Sequence, residues 1–537
     1  MARRSIPSRS ARIKSLSPAL SDPIRLEVFH QLLAALCEEA GAVLQRSAAS
    51  PNIRERRDFS VALFDGAGRL VAQAAHIPVH LGSAADSVRA VQRELDLEPG
   101  DLAILNDPFR GGTHLPDVTL VLPVFVRGDR EPDFFLVDRA HHADIGGATP
   151  GSMAAAADLC AEGLVIPPVK LRARGQRVSD VMRMILANVR GADERQVDLA
   201  AQESALLRGE ERLRALVGEH GLDVVTANTG HLMDYAERIA RGVVRAFPRG
   251  SFAAEDQLDG DGLGSGPLPI RLELSAQRGR LRFDWRGSAD QARGGVNANR
   301  GIVVAASVYL LRCLCPERLP TNDGLFRALE VVTRPGSVLE PRAQAPVAGG
   351  NVETSQRLVD VGLKALARAM PGRIPACSSG TMVNLTLGGR GARSFTSYET
   401  LPGGAGAGPS GEGVSAVQTH MTNTRNTPIE DAEHRWPIVV RALHLRTGSG
   451  GVGRCRGGDG IVKEIELREP AVVSLFAERE LSAPEGVEGG GPGAPLRVAL
   501  RIGGGTPESL PAKFSRTLPE GARVRIETPG GGGFGAP

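Results

Sequence analysis

The chain is poor in lysine. Of its 64 basic residues only Lys14, Lys170, Lys364, Lys463 and Lys513 are lysine. None of the five follows a glycine, so there is no Walker A sequence and no nucleotide phosphate held in that way. An excess of one charge is also missing. The 64 Lys+Arg face 61 Asp+Glu, a formal charge of +3. That balance argues against a strongly basic nucleic-acid binder and against an acidic disordered chain. The six cysteines include no CxxC pair, and the closest two, Cys313 and Cys315, sit in an apolar run. Neither a zinc ribbon nor a thioredoxin-type motif is indicated; buried thiols in a reducing cytosol are the expectation. The longest apolar stretch, Ile302 to Leu314, is too short and interrupted to span a bilayer. Residues 1–21 carry five basic side chains, no acid and no apolar h-region. They read as a disordered basic tail and not as a secretory signal. The expected setting is cytoplasmic, with neither membrane nor nucleic acid as partner.

Two residue types are abundant. Arginines are scattered and matched by acids, which reads as compositional bias and not as phosphate recognition. Glycine accounts for 66 of 537 residues, well above the usual ~7%. The length favours more than one domain. Asp22-Pro23 reads as the cap and first turn of a helix carrying Ile24, Val28, Leu32, Leu36 and Val43 at helical spacing. Phe59–Phe64 and Leu70–Ala72 flank Asp65-Gly66-Ala67-Gly68, a hairpin signal. A helix is predicted over 84–95, strands over 102–105, 118–126 and 134–137, and helices from 178 to about 246. Residues 251–345 are mostly strand-like, with one helix near 303–315. A helix from about 352 to 369 opens a glycine-rich remainder of short strands. The fold class is therefore mixed α/β and α+β, multi-domain. It divides into the tail 1–21, an α/β domain over 22–250, a β-rich region over 251–345 and a glycine-rich α+β domain over 346–537.

Two polar clusters follow strand-like runs. The first, Asn106–Asp117, holds His114 and Asp117 three residues apart, with Pro116 stiffening the loop. The second is Arg139-Ala140-His141-His142-Ala143-Asp144-Ile145-Gly146-Gly147. If the strands are neighbours, two imidazoles and a carboxylate converge with coordination positions open. That donor set suits a divalent Mn, Fe or Zn ion, able to polarise a carbonyl or activate water. Asp144 is placed to orient a histidine. Loop-capping histidines are the plain alternative. His76 and His80 flank Pro78 and read as structural. His420 lies among small polar residues with little to bury, which suits a site loop. Gly349–Gln356, with Glu353, opens the 352–369 helix. Gly448–Gly453 matches G-x-G-x-x-G, but a strand follows it, so a Rossmann site is rejected. Thr528–Gly535 is either a frayed end or a backbone segment lying against a site or partner.

These segments together resemble the hydantoinase B/oxoprolinase family. The resemblance rests on Glu55–Ser60, His76–Gly82, Asn106–Asp117, His141–Gly147 with Pro150–Met153, Gly349–Gln356, Ser379–Met382, His420–Thr427, Arg456–Gly460 and Thr528–Gly533. It implies a catalytic B-type subunit of an ATP-dependent cyclic-amide hydrolase, acting on hydantoins or 5-oxoproline. ATP would be used by a hydantoinase A/oxoprolinase-type ATPase partner in a hetero-oligomer. The partner would phosphorylate the substrate, and this chain would open the ring. The related acetone carboxylase α subunit implies metal ligands at His114 and Asp117, with His141 and His142 competing for third place and His142 preferred. Glu353 and His420 would face the substrate. Alternative roles are an acetone carboxylase-like ligase subunit and a non-catalytic scaffold for the ATPase. One departure is Val383, where members often carry asparagine.

Overall fold

The computed structural model describes residues 22–537, except 75, 81, 129, 154 and 391–393. The basic tail expected over 1–21 lies outside the described residues. Helix α1 (Pro23–Ser47) starts at Asp22, whose carboxylate accepts from Ile24 N, with Pro23 in the first turn. A short helix α2 (Pro51–Arg54) then leads into a seven-stranded sheet. Its strands are β1 (Phe59–Asp65), β2 (Leu70–Gln73), β3 (Leu102–Leu105), β4 (Asp117–Val124), β5 (Phe134–His141), β6 (Val169–Ala173) and β7 (Gln176–Arg177). They run in the order β2-β1-β5-β4-β3-β6-β7, antiparallel throughout. The hairpin at 65–68 joins β1 to β2, with Gly68 at φ 72.

Both faces of this sheet are covered. On one lie α1, α6 (Ala192–His220) and α7 (Leu222–Ala246), meeting residues such as Val61, Leu63, Leu120 and Leu136. On the other lies α3 (Ala84–Glu94), whose Val88 and Val91 pack against Phe64, Val121 and Val137. Burial on both faces explains why β4 and β5 read as continuous apolar runs without alternation. The short α4 (Leu159–Glu162) and α5 (Ser179–Ala187) complete this region.

A second sheet, β8 (Ser251–Leu258), β9 (Leu268–Gln277), β10 (Arg280–Asp284) and β11 (Leu329–Val332), has the order β11-β10-β9-β8. Helices α8 (Arg300–Leu314), α9 (Asp323–Arg327) and α10 (Ser355–Ala369) share its core, with α10 packed on β8 and β9. The helix expected from 352 begins as a π-turn over Gly350–Thr354 and becomes α10 at Ser355.

The C-terminal region holds two more sheets and α11 (Ile429–Arg435). One sheet has the order β13-β12-β16-β19, from β12 (Asn384–Arg390), β13 (Ser394–Thr400), β16 (Ala471–Phe476) and β19 (Lys513–Leu518). The other has the order β14-β15-β20-β17-β18, from β14 (Ile438–Leu445), β15 (Ile461–Leu467), β17 (Arg497–Arg501), β18 (Glu508–Ser509) and β20 (Arg523–Glu527). Beside them, glycine segments pack backbone to backbone. Gly451 N donates to Gly531 O, Gly531 N to Gly458 O, and Gly533 N to Gly491 O, at 2.8–2.9 Å. A Cβ on Gly404, Gly413, Gly457, Gly530, Gly531 or Gly533 would fall under 3.0 Å from a neighbouring carbonyl oxygen. None of these glycines has a positive φ. They are required because no side chain fits, not because of their conformation. Residues 528–535 are thus an interior segment of the bundle. Val383, where the sequence departs from the family motif, takes φ 48 and is wholly buried between the two C-terminal sheets. Asparagine adopts that backbone more readily than a β-branched residue.

Candidate metal centre

Strand order decides the site. β4 begins at Asp117, β5 ends at His141, and these two residues are paired directly across the ladder. The polar cluster before β4 and the one after β5 therefore meet at one end of the sheet. His114 comes back from the loop ahead of β4. Its Nε2 lies 3.0 Å from Asp117 Oδ1, and His141 Nδ1 lies 3.2 Å from the same oxygen. One ligand atom from each of His114, Asp117 and His141 falls within 4.8 Å of the others. All three are buried.

Neighbouring groups orient them. The carbonyl of Ala348 lies 3.1 Å from His114 Nδ1 and holds the ring with its Nε2 edge toward Asp117. Thr113 Oγ1 donates to Asp117 Oδ2 at 2.9 Å, and Asn351 Nδ2 sits 3.1 Å from His114 Nε2 and 3.2 Å from Asp117 Oδ2. His80 Nε2 also reaches Asp117 Oδ2, at 3.2 Å, with its Nδ1 2.8 Å from Ser60 Oγ. Burial alone would raise the Asp117 carboxyl. The charges of His114 and His80 and the hydrogen bonds from His114 and His141 instead hold it well below the usual carboxylate range. Burial lowers His141, partly offset by its hydrogen bond to Asp117. His141 Nε2 and Asn351 Oδ1 are buried without a hydrogen-bond partner. A charged carboxylate with imidazole nitrogens grouped around it, and the unpartnered His141 Nε2 and Asn351 Oδ1, fit a borderline divalent ion.

Behind the cluster, Tyr398 stacks on His141 at 4.5 Å between centroids and 16° between planes. Its hydroxyl donates to Asn384 Oδ1 at 2.9 Å, and Asn384 Nδ2 donates to Glu353 Oε1 at 2.7 Å. Burial, reinforced by Glu478, pushes the Glu353 carboxyl up to about 7 despite hydrogen bonds from Thr381 and Met382. A cavity of about 20 Å³ lies over the cluster, lined by Asp58, His80, Asp117, His141, Asn351, Tyr398, Thr400 and Thr422 among others.

Several expectations are corrected. The preferred third ligand, His142, turns away from the cluster. Successive residues leave an extended strand on opposite sides, and its Nε2 meets Gln202 Oε1 of α6 at 2.9 Å. Burial lowers His142 to about 4. Asp144 orients no histidine; it accepts from Gly146 N, Gly151 N and Arg190 and so knits its own loop. His420 is not in the cluster. Its Nδ1 lies 3.3 Å from Tyr309 hydroxyl and its backbone takes φ 58, while the next residues, Met421 and Thr422, reach the cavity wall. His80, read as structural, sits on Asp117. Asn351 lies within the Gly349–Gln356 motif, where nothing local marks it as a partner of Asp117. His76 remains structural, with Nδ1 accepting from Val61 N.

The family model for hydantoinase B/oxoprolinase matches residues 22–537. The chain belongs to that family. It is 37% identical over 525 residues to a 5-oxoprolinase of Dictyostelium discoideum, covering 96% of this chain but 40% of that protein. It thus spans under half the length of several curated relatives. A Pseudomonas sp. protein named as the B-type component of a D-/L-hydantoinase is 30% identical over 539 residues, 96% of this chain and 90% of that one. Among solved structures, the ATP-dependent caprolactamase from Pseudomonas jessenii superposes with a TM-score of 0.88 at 29% identity, covering 96% and 91% of the two chains. Acetone carboxylase superposes equally well, TM-score 0.88, at 17% identity over 96% and 76%. That second likeness shows the fold alone. Among the described residues no helix is long and apolar enough to cross a membrane.

Proposed function

We propose that the chain is the catalytic B-type subunit of an ATP-dependent cyclic-amide hydrolase. An A-type ATPase partner in a cytoplasmic hetero-oligomer would supply a lactam or hydantoin phosphorylated on its amide oxygen. The observation that carries this reading is the buried His114–Asp117–His141 group under a small cavity of mixed polar and apolar lining. The names of the relatives, 5-oxoprolinase, D-/L-hydantoinase and caprolactamase, support the substrate class. A divalent ion held by these three residues would supply Lewis acidity to a carbonyl oxygen or to water.

The chain's own groups do the rest. Thr113, Asn351 and His80 keep Asp117 oriented and charged. The Tyr398 ring fixes the plane of His141. Glu353, whose carboxyl burial raises to about 7, stands behind the cavity wall and through Asn384 would orient the Tyr398 hydroxyl. Water would add to the activated carbonyl carbon, the ring C–N bond would break with the nitrogen taking a proton, and a second water would hydrolyse the resulting acyl phosphate to a carboxylate and inorganic phosphate. The test is to purify the pair and follow lactam opening with ATP. Ring opening should require ATP and vanish in His114→Ala, while the partner still hydrolyses ATP. Turnover by the His114→Ala pair at the wild-type rate would overturn the reading.

A further inference from the structure

Five arginines are among the largest wholly buried side chains: Arg56, Arg139, Arg195, Arg357 and Arg479. Arg139 donates to Thr119, Ser83 and Ser87, and Arg357 and Arg479 face Asp256, Asp360 and Glu478. Arg56 differs. Its Nη2 donates to Thr400 Oγ1 at 3.2 Å and lies 3.5 Å from Asp58 Oδ2. Its Nε and Nη1 have no partner, and it alone of the five leaves two nitrogens unpaired among the described residues. A buried guanidinium with unused N–H donors is costly unless an acceptor comes to it.

Thr400 Oγ1 accepts from both Arg56 Nη2 and Gln418 Nε2, so its own proton is left for Thr424. Thr400 Oγ1 is 2.7 Å from Thr424 Oγ1, which is 3.3 Å from Thr422 Oγ1. Gln418 and Asn426 direct their amide N–H groups at Thr400. Asp58 is the only carboxylate contacting the guanidinium among the described residues, and it meets one edge. Asp58, Tyr398, Thr400 and Thr422 all line the cavity over the histidine cluster, and the guanidinium lies 4.5 Å from the Tyr398 ring centroid. A planar cation and the Thr422 hydroxyl, the free end of this hydrogen-bonded row, converging on one space is the donor pattern of an oxyanion site.

We propose that Arg56, with the hydroxyl of Thr422, forms a subsite for a phosphoryl group beside the proposed metal ligands. It would grip the phosphate of an activated substrate and hold the reacting carbonyl over His114, Asp117 and His141. The choice of phosphate rests on the function proposed above. The cavity has room for a water-sized molecule, so a phosphoryl group would have to widen it, and Met421 and Thr422 of its wall follow His420, which holds φ 58.

The test is a titration of the full chain, stripped of metal by a chelator, with inorganic phosphate. One phosphate should bind per chain without metal. Arg56→Gln should weaken it by about tenfold or more, Arg56→Lys less, and Thr422→Val by a few-fold. Metal uptake should remain wild-type in each variant. Absence of phosphate binding to the wild type, or unchanged affinity in Arg56→Gln, overturns the proposal. If Arg56→Gln does not fold, Thr422→Val decides on the same criterion. Loss of phosphate binding in a pair that opens no lactam would sink the proposed function and leave the subsite standing. Lactam opening with phosphate affinity and KM unchanged in Arg56→Gln would do the reverse.

Discussion

The end of the N-terminal sheet and the glycine bundle of the C-terminal region both bury many polar groups, by opposite means. Around Asp117 the burial is satisfied by side chains: two imidazoles close to its carboxylate from the same sheet end, a third from residue 80, a threonine and an asparagine. Around Gly531 it is satisfied by backbone alone, with N–H groups and carbonyls of Ala405, Gly451 and Gly458 meeting where a methyl group would not fit. On the proposed function, loss of a side chain in the first region should cost metal and turnover, whereas an added methyl group in the second should cost stability.

The sharpest break in this comparison is Gly531→Ala. Its Cβ would press on the Ala405 backbone, so a destabilisation of about 4 kcal/mol or more is expected. Gly504→Ala, with open space around it, should change stability by about 0.5 kcal/mol at most. Thermal unfolding of the two proteins checks this. An equal effect would mean that glycine density, not close approach, sets the packing.

Next comes His114→Ala, expected to lower ring opening by roughly a thousandfold and to abolish metal uptake, with a small change in unfolding temperature. His142→Ala should keep both metal and turnover, since His142 faces Gln202. Metal content by elemental analysis separates the two.

A third effect depends on pH. The Glu353 carboxyl is raised from its ordinary 4.5 to about 7. The folded chain therefore keeps a proton that the unfolded chain has released. The stability this contributes is full below pH 4.5 and is lost as pH rises through 7. Glu353→Gln, resembling the protonated acid, should remove up to about 3 kcal/mol of that decline. Unfolding midpoints across pH 4–8 measure it, and parallel curves would exclude Glu353 as the titrating group.

The smallest effect is on tuning. Asn351→Ala should weaken metal affinity by about 10- to 100-fold without abolishing it, read by competition with a chelator. Unchanged affinity would confine the orienting role to Thr113 and His80.

Much of this molecule was legible locally. The runs before and after the two polar clusters are strands because they are apolar and bounded by Gly, Pro and Asp. The turn at 65–68 carries its own φ 72 glycine. The spacing of His114 and Asp117, with Pro116 between, placed two members of the cluster in one loop. The choice between His141 and His142 was not legible, because a one-residue step on a strand reverses the face and only the β4–β5 register shows which face is inside. His80 and Asn351 were also out of reach. They arrive from 37 and 234 residues away, and no local pattern marks such a meeting.

The same division holds for the arginines and glycines. Composition made both conspicuous, and many arginines pair with acids near the surface, such as Arg89 with Asp86 and Arg174 with Glu98. Arg56 departs from that pattern only because folding buries it against Tyr398 with two nitrogens unpaired. By itself the sequence determined the elements, the family motifs and the absence of a Walker A loop, since these depend on neighbours along the chain. The tertiary structure alone decided which imidazoles face Asp117, which guanidinium lacks a partner and which glycines touch. Each of those depends on contacts between residues far apart in the chain.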